Sequence, residues 1–322
     1  MASQEVRFTA GTIELVGTLT VPDGVHREGR WPAALLLPSQ LPRNRDGAWD
    51  RTRHPLWFAA ADNAGPGILA RLSAALAARG VATFRYDKRG CGASEGEWAS
   101  AGLFTLIDDA RDALGVLRGQ EVVDPARIGL VGHGEGAWLA MSVAAADPAV
   151  GPLTLIGATA RSLRDVLRRG VAERSRRRVE SEIPEPDPFV AVFDRGVEEL
   201  IERAARGETV MTLPGGNGLA ASIWLAGWEP GFQIPARALA TLQQRSITLV
   251  HGDTDAWVDP EESILLADAL EPTAAPRRIV VRGAGHDLAE APEALFRDLA
   301  SDLAARLQPR RLPTVLLSIG LR

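Results

Sequence analysis

The sequence predicts an α/β fold: a mostly parallel central sheet with helices on both faces and an inserted helical cap. Three observations carry that expectation. Short apolar runs alternate with segments of helical period from residue 33 to 156 and again from 246 to 307. Some of these runs, Ala33-Ala-Leu-Leu-Leu above all, are apolar at every position, as a strand covered on both faces requires. Between about 161 and 240 the alternation stops, which is how an insertion reads. The expected division is 1–160 and 241–309 as core, 161–240 as cap and 310–322 as a C-terminal tail.

Residues 5–9 and 12–21 alternate apolar and polar and break at Gly11, so they predict an antiparallel pair at a sheet edge. Ala33–Leu37 predicts a central strand. The polar loop from Ser39 to Gly47 leaves its C-terminal end, a natural place for chemistry in a parallel sheet. Helical spacing over 66–79 stops at Gly80, and the strand starting at Val81 runs into the glycine-rich turn Asp87–Gly96. A helix over 105–118, the strand Ile128–Val131 and the strand Leu153–Ile156 follow. Within the cap, helical patterns over 161–180 and 190–206 are separated by Pro184, Pro186 and Pro188, and Pro214–Gly218 reads as a loop. The core pattern resumes at Ser246, with a helix over 260–270, a last strand from Arg278 and a closing helix over 292–307.

The 322 residues, 46% hydrophobic and 24% charged, suffice for one large core or two modest ones. A net charge of −5 gives no basic field to gather nucleic acid or an anionic membrane. Cys91 is the only cysteine, which excludes an internal disulfide and any multi-cysteine metal site, and fits a reducing compartment. No stretch reaches the roughly 18 apolar residues of a membrane span, and residues 1–8 lack a basic segment followed by an apolar run. The expectation is a cytoplasmic protein acting on a small molecule without cofactor, metal, nucleic-acid or membrane partner, and open to forming a homodimer.

Residues 127–140, Arg-Ile-Gly-Leu-Val-Gly-His-Gly-Glu-Gly-Ala-Trp-Leu-Ala, read as a buried strand, a tight glycine turn and the start of a helix. Two further strand exits carry candidate groups: the loop holding Asp253 and Asp255, and the loop holding His286. Parallel strands bring such exits to one edge, so groups far apart in sequence can converge there.

Five segments, taken in order, resemble the α/β-hydrolases, close to the dienelactone-hydrolase-like and serine-aminopeptidase-like branches. They are Leu-Leu-Leu-Pro-Ser-Gln-Leu-Pro-Arg-Asn-Arg-Asp-Gly, Phe84-Arg-Tyr-Asp-Lys-Arg-Gly-Cys-Gly-Ala-Ser, Gly-His-Gly-Glu-Gly, His251-Gly-Asp-Thr-Asp-Ala-Trp-Val and Gly-Ala-Gly-His286. The resemblance implies a nucleophile elbow, G-x-S-x-G, with Gly134 standing where the serine belongs, Asp255 as the acid and His286 as the base. It further implies an oxyanion hole built from the Glu135 N–H and one N–H within Ser39, Gln40 and Leu41. Where Pro38-Ser39-Gln40 stand, the family often has glycines.

Other residues have plainer readings. His133, Trp224 and Trp228 are candidates for touching substrate, although a histidine at position 133 packs beneath the turn more readily than it transfers protons. Glu135 opens a helix, where a negative charge is favourable in any case. Neither spacing nor a local base marks Cys91 or Ser39 as a replacement nucleophile. Trp138 and Trp257 read as wall and core. Arg174, Arg176, Arg177 and Arg178 could meet an anionic substrate, but a solvated helix face explains them more simply.

Three functions compete at this level. The first is an acyl- or ester-directed enzyme in which the Asp255–His286 dyad activates water, or removes a proton beside a carbonyl, with the vacant place at Gly134 leaving room for a water or substrate atom. The second is a serine esterase, thioesterase or peptidase inactivated by the glycine. The third is a binding scaffold without catalysis.

Overall fold

The computed structural model describes all residues except 25–28, 55–66, 99–100, 181–187, 209, 215–219, 225–232, 275 and 309–322. The expected tail and Trp228 therefore lie outside the described residues, and of Trp224 only the backbone is described.

Eight strands form one sheet in the order β1-β2-β4-β3-β5-β6-β9-β10. β1 (Ala2–Ala10) and β2 (Ile13–Val21) are the antiparallel edge, and β2 meets β4 (Ala82–Tyr86) antiparallel. From β4 onward every pairing is parallel, through β3 (Trp31–Leu37), β5 (Val123–His133), β6 (Leu153–Ile156), β9 (Ile247–Gly252) and β10 (Arg277–Val281). Six residues of β3, Pro32 to Leu37, and all of β6 are buried, as their unbroken apolar runs require. This is the α/β-hydrolase fold, as the sequence predicts.

The helices cover both faces. α2 (Leu103–Arg118) and α3 (Glu135–Ala146) pack Leu114, Leu117, Leu139 and Met141 into one apolar layer with Leu35 and Leu130. On the other face, α1 (Ile68–Ala77) and α7 (Glu293–Arg306) enclose Leu36, Val131, Ile156 and Val250 with Leu69, Leu72, Phe296 and Leu299. Alternate residues of one strand thus serve opposite layers, which fixes each strand's register.

Between β6 and β9 the chain forms α4 (Leu163–Val179), α5 (Pro188–Ala205), an antiparallel hairpin of β7 (Val210–Pro214) and β8 (Ala220–Trp224), and a 3-10 turn at Ala236–Leu242. The hairpin was not expected from the sequence. Val210-Met-Thr-Leu and Ala-Ser-Ile-Trp are too short to show a period, and only their pairing declares them. α6 (Glu261–Ala274) extends four residues beyond the expected end at 270 and carries Pro272 within it.

The parallel register sets the site. Leu37 is opposite Gly132 across β3 and β5, so the chain leaving each strand two residues later, at 39 and at 134, emerges side by side. The approach is close enough that a Cβ at Gly136 would overlap the Leu37 carbonyl.

Candidate active site

His286 leaves β10 on the Gly283–Asp287 loop and is buried, 7% exposed. Its Nδ1 lies 2.7 Å from Asp255 Oδ2. An ionised carboxylate only accepts, so Nδ1 carries the hydrogen and Nε2 of the neutral ring is left as an acceptor. Asp255 is held from its other side: Oδ1 accepts from the Trp257 and Val258 amides, both at 2.9 Å, and His251 Nε2 lies 3.2 Å from Oδ2. Asp253 is exposed and accepts from the Gly283 amide instead.

The charges reinforce the pair. Burial pushes the Asp255 carboxyl up, but the His286 and His251 rings and their hydrogen bonds outweigh it and hold the group well below the usual carboxylate range. Burial likewise pulls His286 down, yet the Asp255 charge and hydrogen bond carry the ring above its ordinary 6.5. The neutral ring is a correspondingly better base.

His286 Nε2 faces the turn between β5 and α3. Gly134 has φ +53° and ψ −116°, a conformation that glycine adopts without a Cβ penalty, and a Cβ built there would stand 3.0 Å from Nε2. That place is not open. The same Cβ would overlap Ser39 Oγ and Gln40 Oε1, so the room for a water expected from the glycine is already filled by side chains of the β3 exit. This corrects the expectation of a vacancy: a glycine leaves space only if its neighbours do not enter it.

Ser39 is fully buried, with Oγ 3.2 Å from His286 Nε2 and 2.5 Å from Gln40 Oε1. Gln40 Oε1 also accepts from the Glu135 amide at 3.3 Å, and its Nε2 lies 3.3 Å from His286 Nε2. The Glu135 N–H can only donate, which orients the carboxamide with its oxygen toward the helix start. The expected oxyanion donor at Glu135 is therefore engaged by a side-chain carbonyl.

The Glu135 carboxylate does not face this space. It forms a buried ion pair with Lys88 Nζ at 2.6 Å, and Lys88 also donates to the Ser39 and Leu41 carbonyls, each at 3.3 Å. Lys88 thus pins the β3 exit to the first turn of α3. Arg43 fixes the loop's other flank, bonding the Gly47 carbonyl at 2.8 Å and Asp287 at 3.0 Å.

His133 is corrected as a substrate contact. It is fully buried, its Nε2 lies 3.0 Å from the His286 carbonyl, and burial together with the neighbouring His286 ring pushes it down to about 3. It props the His286 backbone as a neutral ring. Cys91 is buried and pushed up to about 12 by that burial, which leaves it a poor nucleophile.

Arg174, Arg176 and Arg178 of α4 are engaged by acidic residues, and the side chain of Arg177 lies outside those described. Arg174 is buried, pairs with Asp194, donates to the Ala256 carbonyl at 2.9 Å and stacks 4.8 Å above the Trp257 ring, bracing the segment that holds Asp255. Arg176 is engaged by Glu173 and Glu180. A groove of about 900 Å³ lined by Arg161, Arg164, Arg168, Arg169 and Arg237 opens beside the start of α4, but it contains none of the residues around His286. Glu198, Asp259, Glu261 and Glu262 already neutralise three of its arginines.

Sequence reasoning missed the contacts of Ser39, Gln40, His251 and Lys88. The available signal was an exchange between neighbours: side chains where glycines are usual at 39 and 40, and a glycine where a side chain is usual at 134. Connecting them requires the pairing of β3 with β5. Among the described residues, no helix is long and apolar enough to cross a membrane.

A family model described as "Alpha/beta hydrolase family" matches residues 35–299. Est1E from Butyrivibrio proteoclasticus, solved with ferulic acid bound, superposes with a TM-score of 0.62 at 15% identity, covering 93% of this chain and 99% of that one. The α/β hydrolase GrgF from Penicillium sp. sh18 gives 0.63 at 18% identity, covering 95% and 99%. In sequence, the acyltransferase drtE of Aspergillus calidoustus is 35% identical over 104 residues, 30% of this chain. The match spans about a third of that curated relative, 34% of its length.

Proposed function

The chain belongs to the alpha/beta hydrolase family, and from that premise we propose that it cleaves or transfers the acyl group of a small-molecule ester, with His286 as general base and Asp255 as its orienting carboxylate. One observation carries the reading. A desolvated carboxylate fixes the imidazole tautomer at 2.7 Å while the other ring nitrogen faces the β5–α3 turn. A ring kept for packing alone needs no such partner.

In this reading Gly134 occupies the family's nucleophile position, and the residues over 161–240 cap the reactive edge. His286 Nε2 takes the proton of the attacking oxygen, and the imidazolium that forms is stabilised by Asp255. It then returns the proton to the departing alkoxide. Developing negative charge on the carbonyl oxygen falls to the Glu135 amide at the start of α3, a place where the helix dipole also favours anions. Gln40 Oε1 marks that position now, since it is a carbonyl oxygen accepting from the same N–H. Substrate binding exchanges one carbonyl for another.

The test is hydrolysis of a panel of p-nitrophenyl esters, thioesters and β-acyloxy carbonyl compounds by the native chain and by H286A. The expected result is turnover that falls by about 10²–10⁴-fold in H286A, the usual contribution of a positioned base. Equal turnover by the two proteins would sink the reading.

A further inference from the structure

We infer that Ser39 is the nucleophile of this acyl chemistry, its hydroxyl performing from the β3 exit the task that a serine at position 134 would perform from the turn. The inference rests on the reading of His286 as general base.

Topology comes first. Leu37 and Gly132 are paired across parallel strands, so residues 39 and 134 leave the sheet as lateral neighbours, and a side chain from either can reach the same point. Sequence supplies the complement: residue 134 has no side chain, and residue 39 has the one of serine. Ser39 Oγ lies 2.1 Å from where a Cβ at residue 134 would stand, in the space that a serine there would use, and 3.2 Å from His286 Nε2. That distance is within reach for a nucleophile and its base before substrate draws them together.

Ser39 is also held as a reacting group must be. Its carbonyl is bonded by Lys88 Nζ, itself locked to Glu135, so the backbone bearing the hydroxyl is tied to the helix that supplies the oxyanion donor. Among the described residues the hydroxyl bonds to groups of the site, Gln40 Oε1 and the His286 ring. The Gln40 carboxamide occupies the place of an acyl group: its carbonyl oxygen accepts from the Glu135 amide as an ester carbonyl would, and the Ser39 hydroxyl, which now donates to that oxygen, is released toward His286 and the acyl carbon when Gln40 is displaced.

The step balances without any further reactant. With Gln40 displaced by substrate, Ser39 Oγ gives its proton to His286 Nε2 and bonds to the acyl carbon. The bond from that carbon to the leaving oxygen breaks, and His286 protonates the alkoxide, leaving an ester on Ser39. Water then attacks this ester with His286 again as base. The carboxylic acid departs and Ser39 recovers its proton.

The experiment is labelling of the full chain with a fluorophosphonate, followed by peptide mass spectrometry. One phosphonyl adduct is expected, on Ser39, absent from S39A and formed at least about 100-fold more slowly in H286A. No adduct, or an adduct on any other residue, overturns the inference. Because Ser39 is buried, S39C accompanies S39A. It should keep the fold and be alkylated at position 39 by iodoacetamide, and inertness of that thiol in a folded protein counts against the assignment. Ester assays separate the two claims. If S39A hydrolyses p-nitrophenyl butyrate as fast as the native chain while H286A does not, the nucleophile is wrong and the general base stands. If H286A is as active as the native chain, the general-base reading itself falls.

Discussion

Two neighbouring strand exits divide the work of this edge in opposite ways. The β5–α3 turn offers no side chain at position 134: Gly132, Gly134 and Gly136 present the Glu135 amide, while His133 packs beneath against the His286 ring. The β3 exit, one strand over, carries Ser39 and Gln40 into the space the turn has given up. Lys88 and Arg43 then hold that exit in place. The difference teaches that a site in a parallel sheet is specified by volume and register more than by any one position. A side chain lost from one exit can be matched by one gained next door, because adjacent strands lie only about 5 Å apart.

Breaking the group that both exits face should have the largest effect. D255N leaves His286 with a neutral partner and the wrong tautomer, and kcat/KM for an ester substrate should fall by about 10⁴-fold. The pH profile gives the sign independently. His286 sits above its ordinary 6.5 because of Asp255, so native activity should rise with pH along a limb lying above that value. In D255N the limb should move to lower pH, since the group that raises the ring has gone. A limb that does not move would show that Asp255 does not govern the base.

Next is the strut between the two exits. K88M removes the cation and leaves the Glu135 carboxylate buried at 6% side-chain exposure, which should lower stability by about 3–5 kcal/mol in urea unfolding. An unchanged midpoint would mean that the two exits are held together by packing alone.

Refilling the turn should cost less. G134S places a Cβ against Ser39 and Gln40 at φ +53°, and the expected loss is about 1–3 kcal/mol. Adding S39G and Q40G should recover part of that loss and transfer fluorophosphonate labelling to position 134. If the single variant is as stable as the native chain, the two exits are not competing for one volume. Smallest of all, R176A removes a half-exposed side chain that forms ion pairs with the nearby Glu173 and Glu180, and it should leave both the melting temperature and ester turnover unmoved.

Much of this was legible in the chain itself. Unbroken apolar runs such as Ala33–Leu37 and Leu153–Ile156 announce strands buried on both faces, and their alternation with helical spacing allows few topologies besides a parallel sheet. Motif order pointed to Asp255 and His286, because each follows a strand whose exit must lie on the reactive edge. Hairpin β7–β8 was not legible, since strands of five residues are too short to show a period and acquire identity only by pairing.

What the sequence alone determined is the fold, and with it the set of loops that share an edge, because periodicity and strand order are local or nearly local properties. It also showed that position 134 lacks a side chain. Whether that lack is a hole was decided only in three dimensions. Ser39 and Gly134 are 95 positions apart, and their competition for one volume depends on the register of β3 against β5, on Lys88 drawing the β3 exit toward α3 and on the direction in which Gln40 turns. The shifts of Asp255 and His286 are of the same kind: burial alone would raise the carboxyl and lower the ring, and each is turned the other way by partners that the fold brings from a distant stretch of chain.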